Sequence, residues 1–454
     1  MMCESLSLVS GQEPQWKVFG HLKEGRTHFG TALIGQGKVL VIGGFTQQKG
    51  LQSERLRGVV SSSCEIIDIL AHQIIAAPST IVPHSGSVVL TMKDSNIVVV
   101  SGLTTDSTTT PICEMYDRKR NNWRVLGSLI LGRHAHSASF LNTEEIIVVG
   151  GRARYNYAAV IAEAEIFNIR TGKSRLVEDF PGKSTEGVAL ESRIFSPQNP
   201  LFLSGRTGGG LSHHIPNLYC FDMLTSHWIC RAELPEALSA TGVQRLSDGR
   251  YILVGGIKSG HYYINKNLNL SPNIYIENPQ GFSRIGMLSK PRFRCRVEQW
   301  SNDIILVIGG NDEKLVSQNS TVWFDLQSRQ SIEGPLMNNE RGEFSSVSFS
   351  TFNHQGQLLG TRILAIGGID AQWHSLSSVE ILETTNPQLL EIPNSEIASQ
   401  RLKQILTSPV VIATLAIFIF VLIVVLLYLL YQVLVIRRQS KFSYQINVVE
   451  GQKR

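Results

Sequence analysis

The chain has 454 residues, 43% of them hydrophobic and 17% charged, with a formal net charge of +5. It is too apolar for a disordered chain. It is also too weakly basic for a nucleic-acid binder, having no Lys/Arg run interleaved with aromatics. Six cysteines (Cys3, Cys64, Cys113, Cys220, Cys230 and Cys295) without a CxxC spacing read as free apolar thiols rather than a disulfide framework.

Residues 1–15 form an N-terminal tail with neither a basic n-region nor an apolar h-region, so no signal peptide is expected. Trp16-Lys17-Val18-Phe19-Gly20 then copies Trp123-Arg124-Val125-Leu126-Gly127. From there to residue 393, a short apolar run ends seven times in a glycine pair or a near miss of one. The runs are Val39–Gly44, Ile97–Gly102, Ile146–Gly151, Leu201–Gly205, Tyr251–Gly256, Ile304–Gly310 and Arg362–Gly368. Their last glycines are spaced by 58, 49, 54, 51, 54 and 58 residues, a period near 50 that marks a repeat protein built from four-stranded units.

A second register runs in phase with the first. After each glycine pair comes a strand-like segment ending in an acid or its amide: Cys64–Asp68, Cys113–Asp117, Ala164–Asn168, Leu218–Asp222, Asn273–Glu277, Thr321–Asp325 and Val379–Glu383. Their β-branched and aromatic residues suit half-buried strands, and the terminal acceptor side chain opens a tight turn. Each repeat therefore predicts an inner strand, an apolar strand with Gly-Gly, a long loop, a third strand, a short turn and an outer strand. Cys220 and Cys230 fall on neighbouring strands of one repeat, near enough to meet.

The order Gly-Gly, then Tyr116, then Trp123 with six residues between resembles the kelch repeat. The resemblance covers roughly residues 16–393. Ser101-Gly102 and Ser204-Gly205 depart from the glycine pair, and only Trp123 and Trp228 supply the outer-strand tryptophan. It implies an all-β fold, a seven-bladed kelch-type β-propeller, with glycines where strands crowd and a side chain would clash. The unpartnered strand at residues 16–20 is expected to complete the last blade and leave no open edge; Gln388–Pro393 is the alternative closing strand.

In kelch-like propellers the loops after the Gly-Gly strand gather at one mouth of the channel. Here these loops hold nine Lys or Arg against five acids. Arg55, Arg57, Arg152, Arg154, Arg206 and Lys258 are the candidate contacts for an acidic segment of a partner protein, since guanidinium forks pair with carboxylates. Tyr155, Tyr157, Tyr262, Tyr263 and Trp373 are candidate aromatic anchors. The resemblance also implies alternatives: galactose-oxidase-like propellers with a copper site of Tyr, Cys and two His, and sialate-epimerase-like propellers that bind sugars. His213-His214 is the one adjacent His pair and has no metal-site spacing, and Arg133 and His136 read as structural. No catalytic set, metal or cofactor is nominated, and the chain is expected not to be an enzyme.

Residues 394–408 read as a short stalk. From Gln404 to Ile436 there is no charged residue, and the 21 residues Val410–Leu430 would span about 30 Å as a helix, the hydrocarbon thickness of a bilayer. A single transmembrane helix is expected over 409–436, followed by a basic tail, 437–454. Without a signal peptide this predicts a tail-anchored protein with a cytosolic propeller whose protein partner lies near the membrane. The three cations Arg437, Arg438 and Lys441 after the segment, against Arg401 and Lys403 before it, favour the extracytoplasmic alternative. In that case the sequons Asn269-Leu270-Ser271 and Asn319-Ser320-Thr321 would matter.

Overall fold

The computed structural model describes residues 14–383, apart from 36, 48–57, 106–107, 155–159, 183, 192–198, 204, 208–212, 260–267 and 353–357. The stalk, the 409–436 segment, the basic tail and Gln388–Pro393 lie outside the described residues. Among those described, no helix is long and apolar enough to cross a membrane.

Seven four-stranded antiparallel sheets form a β-propeller-like array. Sheet 1 comprises Gly30–Gly35, Lys38–Ile42, Cys64–Asp68 and Gln73–Ala77. Sheets 2 to 6 repeat this order from inner strands at Val88–Thr91, Ser137–Phe140, Val188–Leu190, Gly242–Arg245 and Arg296–Gln299. Sheet 7 has Ser345–Phe352, Leu358–Ile366 and Ser378–Glu383, and its fourth strand is the N-terminal Gln15–His21. That strand runs antiparallel to Ser378–Glu383, with Gln15 opposite Glu383 and His21 opposite Ser378. Trp16 thereby enters a core with Trp300, Trp323, Phe344 and Leu382.

The second strands are apolar at successive positions because a sheet lies against each face. Val39, Leu40, Val41 and Ile42 are all buried, and the first and third face one neighbouring core while the second and fourth face another. Seven such cores are shared by consecutive sheets, including one between sheets 7 and 1.

The glycine pairs have a defined task. The first glycine adopts a left-handed backbone against the next sheet: a Cβ on Gly150 (φ +64°) would lie 2.1 Å from the Ser184 carbonyl oxygen. The second donates its N–H across the same gap, Gly44 to His84 O at 2.8 Å, Gly310 to Arg341 O at 2.9 Å and Gly368 to Arg26 O at 2.9 Å. The last of these bonds joins the final repeat to the first. In sheet 2, where serine stands first, Ser101 takes φ 53° and its Oγ donates to the Thr110 carbonyl at 2.6 Å.

A buried ion pair recurs beside the glycines. Arg26, Arg133 and Arg341 each donate to the first glycine's carbonyl (Gly43 2.9 Å, Gly150 2.9 Å, Gly367 2.7 Å). Each also meets a glutamate of the third strand: Glu65 at 2.8 Å, Glu165 at 2.6 Å and Glu380 at 2.8 Å. His84 replaces the arginine in sheet 2, with Nδ1 2.8 Å from Ser101 O and Nε2 3.0 Å from Glu114.

Cys220 and Cys230 lie on neighbouring strands of sheet 4, as the sequence suggests, but are not opposite each other. A register shift places Cys220 opposite Ile229 and Cys230 opposite Tyr219. Cys220 is buried and Cys230 exposed, and both are free.

Candidate ligand pocket

Two residues after each of the buried Arg26, His84, Arg133, Ser184, Leu238, Arg292 and Arg341, the chain turns into the inner strand through a left-handed residue. These residues are His28 (φ 51°), Gly86 (59°), Ala135 (50°), Glu186 (57°), Ala240 (53°), Arg294 (52°) and Glu343 (52°). Backbone bonds link neighbours around this ring: Gly86 N to His28 O at 2.8 Å, Ala135 N to Gly86 O at 3.0 Å, and Arg294 N to Ala240 O at 2.8 Å. Only Gly86 adopts this conformation without a steric cost. The other positions accept it because flanking hydrogen bonds hold them, which fixes the direction of four polar or charged side chains.

Those side chains surround a cavity of about 310 Å³ whose lining includes His28, Glu186, Arg294 and Glu343. Phe45, Phe293, Leu315 and Trp373 form apolar wall. Arg206 grips Glu186 with two bonds, Nε to Oε2 at 2.9 Å and Nη2 to Oε1 at 3.0 Å. Arg294 reaches the same carboxylate at 3.2 Å and also pairs with Glu343. Arg152 stands 3.7 Å from Glu186, and His28 Nε2 lies 3.1 Å from Glu343. The result is one connected polar chain, Arg206–Glu186–Arg294–Glu343–His28, with Arg152 alongside.

Burial alone would raise the Glu186 pKa, yet Arg206, Arg294 and Arg152 hold it well below the usual carboxylate range. Burial, helped by Arg294, lowers His28 to about 3, and burial lowers His134 to about 4. Both imidazoles are thus neutral at pH 7. Among the described groups joined here, three guanidiniums face two carboxylates, leaving one positive charge in excess.

The sequence-predicted contacts divide. Arg152 and Trp373 line the cavity, and Arg206 is buried behind it against Glu186. Arg154 is exposed and its carbonyl faces His134 Nε2 at 3.1 Å. Lys258 is half-buried, 3.9 Å from Glu236. Arg55, Arg57, Tyr155, Tyr157, Tyr262 and Tyr263 lie outside the described residues. Sequence reasoning missed His28, Glu186, Arg294 and Glu343 because it searched the loops after Gly-Gly, whereas these residues precede the inner strands.

No family model matches the chain, and no curated protein matches it. Among solved structures it is similar to a fungal alcohol oxidase of the AA5 family in complex with copper, at 13% identity and a TM-score of 0.58 over 82% of this chain and 76% of that one. It is also similar to the structure of YjhT, at 15% identity and a TM-score of 0.49 over 70% of this chain and 99% of that one. The oxidase likeness establishes a β-propeller-like fold. It also corrects the expectation that the chain is not an enzyme, since an enzyme shares this fold over most of its length.

The described residues do not fit the copper of that oxidase. His28, His134 and His136 line the cavity, but no thiol does. Cys64, Cys113, Cys220 and Cys295 belong to the cores between sheets. No group of three or more described His, Cys, Asp or Glu side chains is arranged to hold a metal.

Proposed function

We propose that the chain is a seven-bladed kelch-type propeller whose central pocket binds a small carboxylate-bearing ligand and acts on it by proton transfer. The observation that carries this reading is the Arg294 guanidinium shared between Glu186 and Glu343 in the cavity wall, within an excess of positive charge. A guanidinium fork recognises a carboxylate bidentately, and a partly sheltered site strengthens the attraction. Arg294 and Arg152 would hold the anion, with Trp373 and Phe293 against its carbon skeleton. Glu343, as a carboxylate, would take a proton from a carbon or oxygen of the ligand beside it and return it, with the neutral His28 ring at 3.1 Å orienting it.

The test is a thermal-shift panel of small carboxylates and their neutral amides, followed by ¹H NMR of the binders in D₂O. Carboxylates should stabilise the protein and amides should not, and Arg294→Ala should abolish the difference. A bound carboxylate that exchanges a C–H for deuterium only with active protein would establish the chemistry. Equal shifts for acids and amides would overturn the reading.

A partner protein's acidic side chain would meet the same guanidiniums, and exposed Arg154, whose carbonyl faces cavity-lining His134, supports that second reading. Capture of an acidic peptide, without any response to free carboxylates, would favour it. The uncharged run at 409–436 supports a membrane anchor for either reading. Protease protection with tags at both ends tests the anchor and its orientation.

A further inference from the structure

The residue after each left-handed ring position packs against the second glycine of its own sheet. A Cβ on Gly44 would lie 2.7 Å from the Phe29 Cβ, one on Gly151 2.7 Å from the His136 Cβ, and one on Gly368 2.6 Å from the Phe344 Cβ. Sheets 1 and 7 place phenylalanine there, so the fold accepts an aromatic ring at this position. Sheets 2 and 3 place Ser87 and His136 there instead, and both line the cavity.

Neither is satisfied by the protein. Ser87 Oγ and both ring nitrogens of His136 lack a hydrogen-bond partner, although His136 is only 7% exposed. The Val100 carbonyl favours the charged ring but lies outside normal hydrogen-bond geometry. Buried polar atoms are normally paired, so an unpaired set in a cavity wall points to a group that arrives from outside. Burial and Arg133 hold His136 well below its ordinary pKa, so its neutral ring offers one donor and one acceptor. A hydroxyl has the same pair of roles.

We infer that the wall between sheets 2 and 3 is a hydroxyl-binding subsite, formed by His136 and Ser87, for a ligand whose carboxylate is held at Arg294 across the ring. This deepens the proposed function and rests on it. It narrows the ligand from a carboxylate to a hydroxylated carboxylate. A small turn of the His136 ring would bring a nitrogen to the ligand.

The experiment is calorimetric titration of the full chain with gluconate, with hexanoate (the same chain length without hydroxyls) and with sorbitol (hydroxyls without the carboxylate). Wild type should bind gluconate about tenfold or more tighter than hexanoate, the scale of one or two neutral hydrogen bonds. His136→Phe and Ser87→Ala should each remove most of that advantage and leave hexanoate binding unchanged. His136→Phe should also fold at least as well as wild type, since two sheets already carry phenylalanine there. If wild type binds gluconate and hexanoate equally, or if both variants keep the preference, the subsite is overturned while the carboxylate reading stands. If wild type binds neither acid, both fall. Sorbitol binding as tight as gluconate would retain the subsite and remove the carboxylate reading.

Discussion

Replacing Glu186 by glutamine tests the electrostatic logic of the pocket directly. The side chain keeps its size and one carbonyl acceptor but loses its charge. Arg206 at 2.9 Å, Arg294 at 3.2 Å and Arg152 at 3.7 Å then face a neutral group. Removing one member of a buried ion pair costs about 3–5 kcal/mol, because the remaining charge is left uncompensated. Glutamine still accepts one bond and Arg294 keeps Glu343, so the lower end, about 3 kcal/mol, is expected from urea unfolding at pH 7.

The pH dependence follows from the direction of the shift. The folded-state pKa of Glu186 lies well below its unfolded value of 4.5, so its contribution is complete above about 4.5 and is lost as pH falls toward the folded value. The gap between wild type and Glu186→Gln should stay constant from pH 7 to about 4.5 and narrow below that. Millimolar formate or acetate should stabilise the variant more than wild type, because its guanidiniums have lost a counter-charge. A gap under about 1 kcal/mol at neutral pH, or one that persists unchanged into strong acid, would refute the argument.

Arg133→Met should lose about 3–5 kcal/mol in the same assay, and Arg133→Met/Glu165→Leu should recover part of that loss, because both partners are fully buried; strictly additive losses would contradict a pair. Gly150→Ala should lower thermal stability by about 2 kcal/mol or more, since its Cβ would strike the Ser184 carbonyl, whereas Gly249→Ala, with nothing within 4 Å, should cost only backbone strain of about 1 kcal/mol. Deleting residues 1–21 strips the fourth strand from sheet 7 and bares the edge of Ser378–Glu383, so size-exclusion chromatography should show association in place of the wild-type profile. With one positive charge in excess among the described groups, a monocarboxylate should bind more tightly than a dicarboxylate of similar size, as competition calorimetry would show.

The sheets were readable because two periodic signals, the glycine-ended runs and the third strands, agree in phase over the whole array. The pairing of Gln15–His21 with Ser378–Glu383 followed from the copied Trp16–Gly20 motif. The buried pairs were present in the same strings and went unread: the second letter of CEIID, CEMYD and AEIFN is the glutamate that meets Arg26, His84 or Arg133. Cys220 and Cys230 fall on neighbouring strands as read but do not meet, because a bulge between Leu218 and Tyr219 shifts the register, and such a bulge has no local sequence mark here. The ring escaped notice for a related reason. Left-handed backbone is announced by glycine, as at Gly86, but His28, Glu186, Arg294 and Glu343 adopt it under tertiary constraint.

That constraint connects the fold to the site. A position that must be left-handed is cheapest as glycine, and each bulky residue there costs about 1–2 kcal/mol. His28, Glu186, Arg294 and Glu343 accept that cost at ring positions that Gly86, Ala135 and Ala240 fill with small residues. Arg294 also attracts Glu186 and Glu343 across sheets 4, 6 and 7, and neutral His28 of sheet 1 meets Glu343, so the same side chains that shape the pocket tie distant repeats together. Packing within each sheet pair does not require this network, because the seven apolar cores are complete without it. The network is better explained by what it presents to the cavity: fixed guanidiniums beside a carboxylate and a neutral imidazole, the groups on which the proposed function rests.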